Sequence, residues 1–411
     1  MVWTRLLTLV VGNTNYSVAT VLTTFMAGLA LGSYLGGRFI DRRNNPLVVY
    51  ALLEAAIGIY CFLVPHLIAW ASPLFKWIYL HYQGEYVEAS LLRFMVCSAI
   101  LLVPTTFMGA TLPVLSKFTS GDSGLIGKEV GTLYGINTFG AVIGALTSAF
   151  VFMRLWGLQV TINLAAFINL AIAVCILVLF RDHHTVSHPS KPEPPSKESR
   201  WLVPLVLVTF GFSGLSAMVY QVAWNRIFSL LLGSSVYAFS LILTTFILGL
   251  ALGTVFFARI CGKFRDLFKT FGILQATIGV SALLALPLFG DIPFVNRWVY
   301  RNWGFGFASI QEANFLIIFS LLLVPTFFMG AQFPIVVKLV ARNLSTVGSH
   351  VGKAYSSNTV GTIFGSFLGG FILIPWIGVQ NAVLCAVFLN ASHHLLLGGH
   401  VGGTLLFGFR L

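Results

Sequence analysis

The chain has 411 residues, of which 57% are hydrophobic and only 9% charged, and its mean hydropathy is +0.90. A soluble globular domain carries roughly a quarter of its residues as charges, so this composition excludes one and points to an integral membrane protein. The net charge of +12 suggests nucleic acid as a partner only until the basic residues are placed relative to the apolar segments.

In chain order, apolar runs close to the roughly 20 residues that span ~30 Å of hydrocarbon fall at 13–37, 47–71, 89–116, 129–153, 158–180, 202–222, 235–259, 269–290, 312–337, 351–375 and 380–399. A transmembrane barrel would need alternating segments of roughly ten residues, and none is present. The eleven runs are therefore predicted helices whose backbone groups are satisfied internally. The expected class is an all-α polytopic membrane protein.

With the 38–46 loop in the cytoplasm, alternation puts about 17 of the 24 Lys and Arg on that side, including Arg38, Arg42, Arg43, Lys117, Lys128, Arg259, Lys263 and Lys338. The opposite side keeps Arg5, Lys76, Arg93, Arg154, Arg226, Arg297 and Arg301. This is the positive-inside pattern of a multi-pass cell-membrane protein. It accounts for the net charge with the lipid bilayer as partner and no nucleic acid. Cys61, Cys97, Cys175, Cys261 and Cys385 lie in or beside apolar runs with no CxxC pair, so they read as small buried residues. No metal, cofactor or catalytic set is expected.

The sequence also repeats. LTTFMAGLALG (22–32) returns as LTTFILGLALG (243–253), LLVPTTFMGATLPVLSK (101–117) as LLVPTFFMGAQFPIVVK (322–338), and YGINTFGAVIGA (134–145) as YSSNTVGTIFGS (355–366). The offset stays constant from Trp3 and Trp224 to Gln159 and Gln380, an ungapped match that shared hydrophobicity does not produce. Between the copies lies RDHHTVSHPSKPEPPSKESR (181–200), too polar and proline-rich to enter the bilayer. The predicted organisation is an N-terminal repeat of five spans (1–180), a cytoplasmic linker (181–200) and a C-terminal repeat of six spans (201–411). An even number of spans per complete copy makes the copies parallel, related by an axis along the membrane normal. The partner of 201–221 would precede Met1, so a six-plus-six bundle is expected here with its first helix missing; after Asn390, the match of Asn169, the tail no longer resembles the first copy.

Two resemblances follow from these phrases. GSYLGGRFIDRR (32–43) resembles the loop after the second helix of major facilitator transporters, where a glycine, an acid and arginines sit at the cytoplasmic end. This assigns Arg38, Asp41 and Arg42 to that loop, with Arg259 repeating Arg38 and Gly262 standing in place of the acid. FMAGLALG and PTTFMGATLP, repeated as FILGLALG and PTFFMGAQFP, together with VWTRLLTLVVG and MVYQVAWNRIFSLLLG, resemble the facilitator-like membrane domain of bacterial spermidine-synthase-like fusion proteins. The chain departs from that pattern at Gln221, where an acid is frequent, and in having no glycine-rich, acid-bearing loop for an S-adenosyl donor. Aminopropyl transfer is not expected of these residues. The resemblance implies a major-facilitator-like fold in which the 13–37 helix packs on the 351–375 helix and the 129–153 helix on the 235–259 helix.

Glycines at Gly28, Gly32 and Gly36, at Gly140 and Gly144, and at Gly361 and Gly365 offer faces where helices in lipid can approach closely. Pro104 and Pro113 bracket Met108, and Pro325 and Pro334 bracket Met329. Each proline removes a backbone donor, so bends or breaks beside a cavity are expected there. Asn137 with Thr138, Asn358 with Thr359, and Tyr220 with Gln221 put polar groups inside spans, for helix contacts or for solute. Glu54 is the only acid well inside a span and a candidate for cation or proton handling. Its repeat partner is Gln275, and Arg38 or Arg42 lies within reach for an ion pair. The functional expectation is a transporter-like domain moving or binding a small organic solute such as a polyamine. The alternatives are a non-transporting anchor for a catalytic partner domain, or a remnant of a spermidine synthase-like enzyme.

Overall fold

The computed structural model describes residues 2–3, 6, 15–82, 86–121, 123–180, 199–233, 235–303, 306–341 and 344–407; Arg5, residues 181–198 of the expected linker and residues 408–411 lie outside them. Each of the eleven apolar runs falls on a long helix. These are α1 (Asn15–Ile40), α2 (Pro46–His81), α3 (Tyr86–Thr119), α4 (Ile126–Thr147), α5 (Gly157–Leu179), α6 (Ser199–Leu232), α7 (Val236–Ile260), α8 (Leu267–Leu288), α10 (Phe307–Val340), α11 (Val347–Phe367) and α12 (Ile374–Phe407), with a short α9 (Ile292–Trp303) between α8 and α10. No strand occurs among the described residues. Nine continuous helical stretches among them are long and apolar enough to cross a bilayer, and the last, Leu344–His393, contains α11 and most of α12.

Local chemistry sets the helix ends. Pro46 opens α2 at a position where its missing N–H costs nothing. The Ser235 hydroxyl accepts from the Ala238 amide at 3.0 Å to start α7, and the Asp266 carboxylate accepts from the Lys269 amide at 2.9 Å to start α8. The repeat extends to irregularities. A π-helical turn follows α4 at Ser148–Phe152 and α11 at Leu368–Leu373, and the chain then swings on Gly157 (φ +74°) and its match Gly378 (φ +80°).

Packing within each copy is the same. α1 lies on α3 as α7 lies on α10, and α2 lies on α5 as α8 lies on α12. Glycines make the first of these contacts possible. A Cβ on Gly32 would lie 1.8 Å from the Thr106 carbonyl oxygen, one on Gly253 1.8 Å from that of Phe327, and one on Gly109 or Gly330 2.3 or 2.1 Å from that of Leu29 or Leu250. The copies meet through α1 on α11 and α4 on α7, the pairing the facilitator resemblance implies.

The proline helices are not interrupted. α3 and α10 run unbroken through Pro104, Pro113, Pro325 and Pro334. A proline frees the carbonyl four residues before it, and in each helix a neighbour's hydroxyl takes one such carbonyl. Tyr60 donates to Ile100 O at 3.0 Å, opposite Pro104, and Thr254 donates to Gly330 O at 2.9 Å, opposite Pro334. A freed carbonyl is tolerated in hydrocarbon when protein supplies the donor.

The copies differ on one face. In the second, α11 presents Ser357, Asn358, Gly361 and Gly365 to α6: Ser357 Oγ donates to Leu207 O at 2.6 Å, and a Cβ on Gly361 would lie 1.6 Å from Gly211 O. The matching face of α4 is open, with Ile136 65% and Ile143 61% exposed and nothing within 4 Å of a Cβ at Gly140 or Gly144. We therefore expect Gly361→Ala to cost about 1–3 kcal/mol by overpacking, whereas Gly140→Ala leaves stability within about 0.5 kcal/mol of the parent. Thermal unfolding of the two purified variants in one detergent checks this; equal losses would show the two faces to be equally packed.

Candidate functional site

A cavity of about 580 Å³ lies where the copies meet, walled by α1, α4, α6, α7, α10 and α11. Val21 in the first third of α1, Ser148 just past α4 and Phe239 near the start of α7 mark its extension toward one end of the bundle. At the other end lie Asp41, Lys117, Lys128 and Lys338, and there the space is closed. Tyr134 lies tilted against Phe333 with ring centroids 4.3 Å apart, and Tyr355 stands 6.1 Å from Tyr134 and 6.2 Å from Phe333. Tyr134 and Tyr355 are repeat partners, so one residue type contributed by both copies forms the floor.

Behind the floor the copies are fastened. The Asp41 carboxylate, in the loop after α1, accepts from the Gly348 and Ser349 amides at 3.1 and 2.8 Å, capping the first turn of α11. An anion at a helix N-terminus meets both unpaired N–H groups and the positive end of the helix dipole. Lys117 Nζ lies 3.8 Å from the same carboxylate and donates to the carbonyls of Asp41 and Ser345 at 3.3 and 3.4 Å. Burial pushes the Asp41 carboxyl above the usual carboxylate range, and the Ser349 amide, Lys117, the Gly348 amide and His350 pull it back. In the second copy, Gly262 holds Asp41's place, and Lys338 donates instead to the Cys261 carbonyl at 3.0 Å.

Among the residues singled out from sequence, Gln221, Asn358, Thr359 and Met329 line the cavity. Asn358 Nδ2 donates to Phe210 O at 2.9 Å, tying α11 to α6, and Thr359 donates to its own helix at Tyr355 O. Thr138 likewise donates to Tyr134 O, and its neighbour Asn137 is exposed on the open face of α4. Tyr220 is fully buried beside the cavity, stacked on Trp224 and accepting from Asn390 Nδ2 at 3.2 Å, while Ser216 donates to Asn390 Oδ1 at 2.7 Å.

Met108 packs against Ile57, Cys61 and Ala166, away from the cavity. Pro104, Pro113, Pro325 and Pro334 are buried, Pro334 against Gly127 and Gly131. Arg42 and Arg259 are exposed. Glu54 is buried on α2, outside the cavity, with Tyr50 one turn back as its hydrogen-bonding neighbour. The expected Arg38–Glu54 pair does not form, because Arg38 donates to Tyr34, one turn away on its own helix, at 2.9 Å.

Ser213 and Gln332 are among the lining residues that escaped the sequence reading. Ser213 donates to Gln332 Oε1, and Gln332 is 1% exposed. The available signal was a difference between copies, since Gln332 in FMGAQFP replaces Thr111 in FMGATLP.

No family model matches the chain. It is 23% identical over 213 residues to a polyamine aminopropyltransferase of Corynebacterium efficiens, covering 51% of this chain and 37% of that protein. It is 25% identical over 243 residues to polyamine aminopropyltransferase 2 of Streptomyces coelicolor, covering 54% and 40%. The chain thus spans well under half the length of the curated relatives it matches. Among solved structures, it is similar to a bacterial homologue of the iron transporter ferroportin in an outward-facing state (TM-score 0.57, 13% identity, 96% of this chain and 93% of that one). It is also similar to the fucose:proton symporter of Escherichia coli (TM-score 0.52, 13% identity, 96% and 94%). The fold is that of an all-α, polytopic, major-facilitator-like membrane protein.

The Asp41 cap predicts that Asp41→Ala destabilises the fastened end by about 0.5–2 kcal/mol, the usual cost of losing an N-cap. Asp41→Asn, which keeps an acceptor, is expected to lose less. Melting of both variants beside the parent provides the measurement, and an Asn variant as weak as the Ala variant would assign the effect to charge alone.

Proposed function

We propose that the chain moves a small organic solute across the cell membrane by opening the cavity alternately at its two ends. The copies 1–180 and 201–411 act as the two rocking bodies, and the 181–200 linker and the basic end face the cytoplasm. The observation that carries this reading is the cavity between the copies, roomy toward one end and shut at the other by Tyr134, Phe333, Tyr355 and the Asp41 cap. Its volume falls in the ~300–1,000 Å³ range of small-molecule sites. The likeness to a transporter captured outward-facing supports taking the roomy end as external. Gln221, Asn358, Thr359 and Met329 are the proposed solute contacts, and a polyamine is a solute the relatives' names bring into view.

Cysteine labelling in intact cells tests the arrangement. Phe25→Cys is expected to react with a membrane-impermeant maleimide from outside, and Ser345→Cys only in inside-out vesicles; the opposite pattern would reverse the orientation. Reconstituted in proteoliposomes, the chain is expected to pass a labelled solute faster than protein-free vesicles. Tyr134→Ala, by removing part of the floor, is expected to raise labelling of Phe25→Cys from the basic side.

A further inference from the structure

We infer that the solute this cavity accepts is uncharged, with an apolar or aromatic body and one polar head of amide or hydroxyl type seated on Gln332; this rests on the cavity being the solute site, as proposed above. The first ground is the lining. No Asp, Glu, Lys, Arg or His stands among the described residues that wall it. Glu54 lies elsewhere on α2, and Asp41 is committed to the α11 amides behind the floor. An ammonium or carboxylate entering such a space leaves water without a counter-charge, which is the costliest way to bury a charge.

The second ground is Gln332 itself. It is 1% exposed, one end of its amide is taken by the Ser213 hydroxyl, and Nε2 has no partner among the described residues. A buried amide left half-paired is expensive, and a ligand that pairs it gains what the empty site lacks. A hydroxyl both donates and accepts, so Ser213 serves either orientation of the amide. In both, one end of Gln332 stays unpaired and out of contact with the open space, and a turn of the side chain toward the cavity it lines brings that end to a primary amide or alcohol, which satisfies it either way. Gln221 stands eight residues beyond Ser213 on α6, about 12 Å along the helix at 1.5 Å per residue, and offers a second amide farther up the cavity.

Aromatic rings can also hold cations through their faces, but the floor rings are spent on one another. Tyr134 lies tilted against Phe333, and Tyr355 meets both edge-on. Phe25, Phe239, Phe246 and Met329 complete the wall as apolar surface, which suits a hydrocarbon or aromatic body. A polyamine, with several ammonium groups and little apolar surface, fits this lining poorly.

The test uses the full purified chain in nanodiscs and four probes: 3-phenylpropanamide, 3-phenylpropylamine, 3-phenylpropanoate and spermidine. Calorimetry is expected to show the amide binding at least about tenfold more tightly than the three ions, the scale of one well-made hydrogen bond plus an avoided charge burial. Gln332→Leu is expected to lose about tenfold of that affinity, and Gln332→Glu to turn the preference toward the amine. Should Gln332→Glu fail to fold, Gln221→Glu carries the same reversal on a less buried position. Spermidine or the amine matching the amide on the parent chain overturns the inference, as does a parent chain that binds none of the four. Flux of the same probes in proteoliposomes separates the two proposals. Amide binding without flux overturns transport and leaves the ligand class standing, and spermidine flux without amide binding does the reverse.

Discussion

Everything in this bundle depends on backbone touching backbone where α1 crosses α3 and α7 crosses α10. Hydrocarbon gives two apolar helices no reason to leave lipid for each other, so their association rests on close van der Waals contact and on polar groups. Gly28 and Gly32 against Thr105 and Thr106, with Gly109 against Leu29, interlock from both sides, and the second copy repeats the arrangement residue for residue. No side chain fits between these helices, so their separation is fixed. Two rigid blocks result, and the cavity is the space that their shapes leave between them.

The contacts between blocks are of another kind. Gly37 meets Gly348 and Gly352, Asp41 caps α11, and Lys117 reaches the Ser345 carbonyl. Apart from the glycine approach, these are polar contacts at the water-facing end, individually modest and exchangeable with water. Beside these polar contacts the copies share apolar packing, with Gly131 and Gly135 of α4 against Pro334, Ala258 and Val255 and with Leu112, Ile126 and Val130 in one cluster with Phe333 and Ile335. The fastening is one-sided, because Gly262 leaves the second copy without the carboxylate that Asp41 supplies to the first.

Much of this was legible in the sequence. The all-helical membrane class follows from hydropathy, the repeat from one constant offset, and the helix pairs between copies from the facilitator resemblance. The glycine phrase marked close packing, although within each copy, on α3 and α10. The site was less legible. Gln221, Asn358, Thr359 and Met329 reach the cavity wall because polar or soft residues inside spans are few, but the same rule also selected Tyr220, which a buried Asn390 pairs, and Glu54, which lies outside the cavity. Composition cannot tell an inward amide from one already paired across a helix contact. The pairing of the proline-freed carbonyls was illegible for a related reason: the donors of Tyr60 and Thr254 lie 44 and 80 residues from the prolines they compensate, beyond any local pattern.

The α6–α11 contact also bears on biogenesis. Helices enter the bilayer in order of synthesis, and α6 is already there when α11 arrives to have Asn358 and its glycines covered. An amide in hydrocarbon needs a partner, and Asn358 finds one in the Phe210 carbonyl. α11 is thus expected to leave the insertion machinery onto a waiting protein surface, and a late α6 would hold it back.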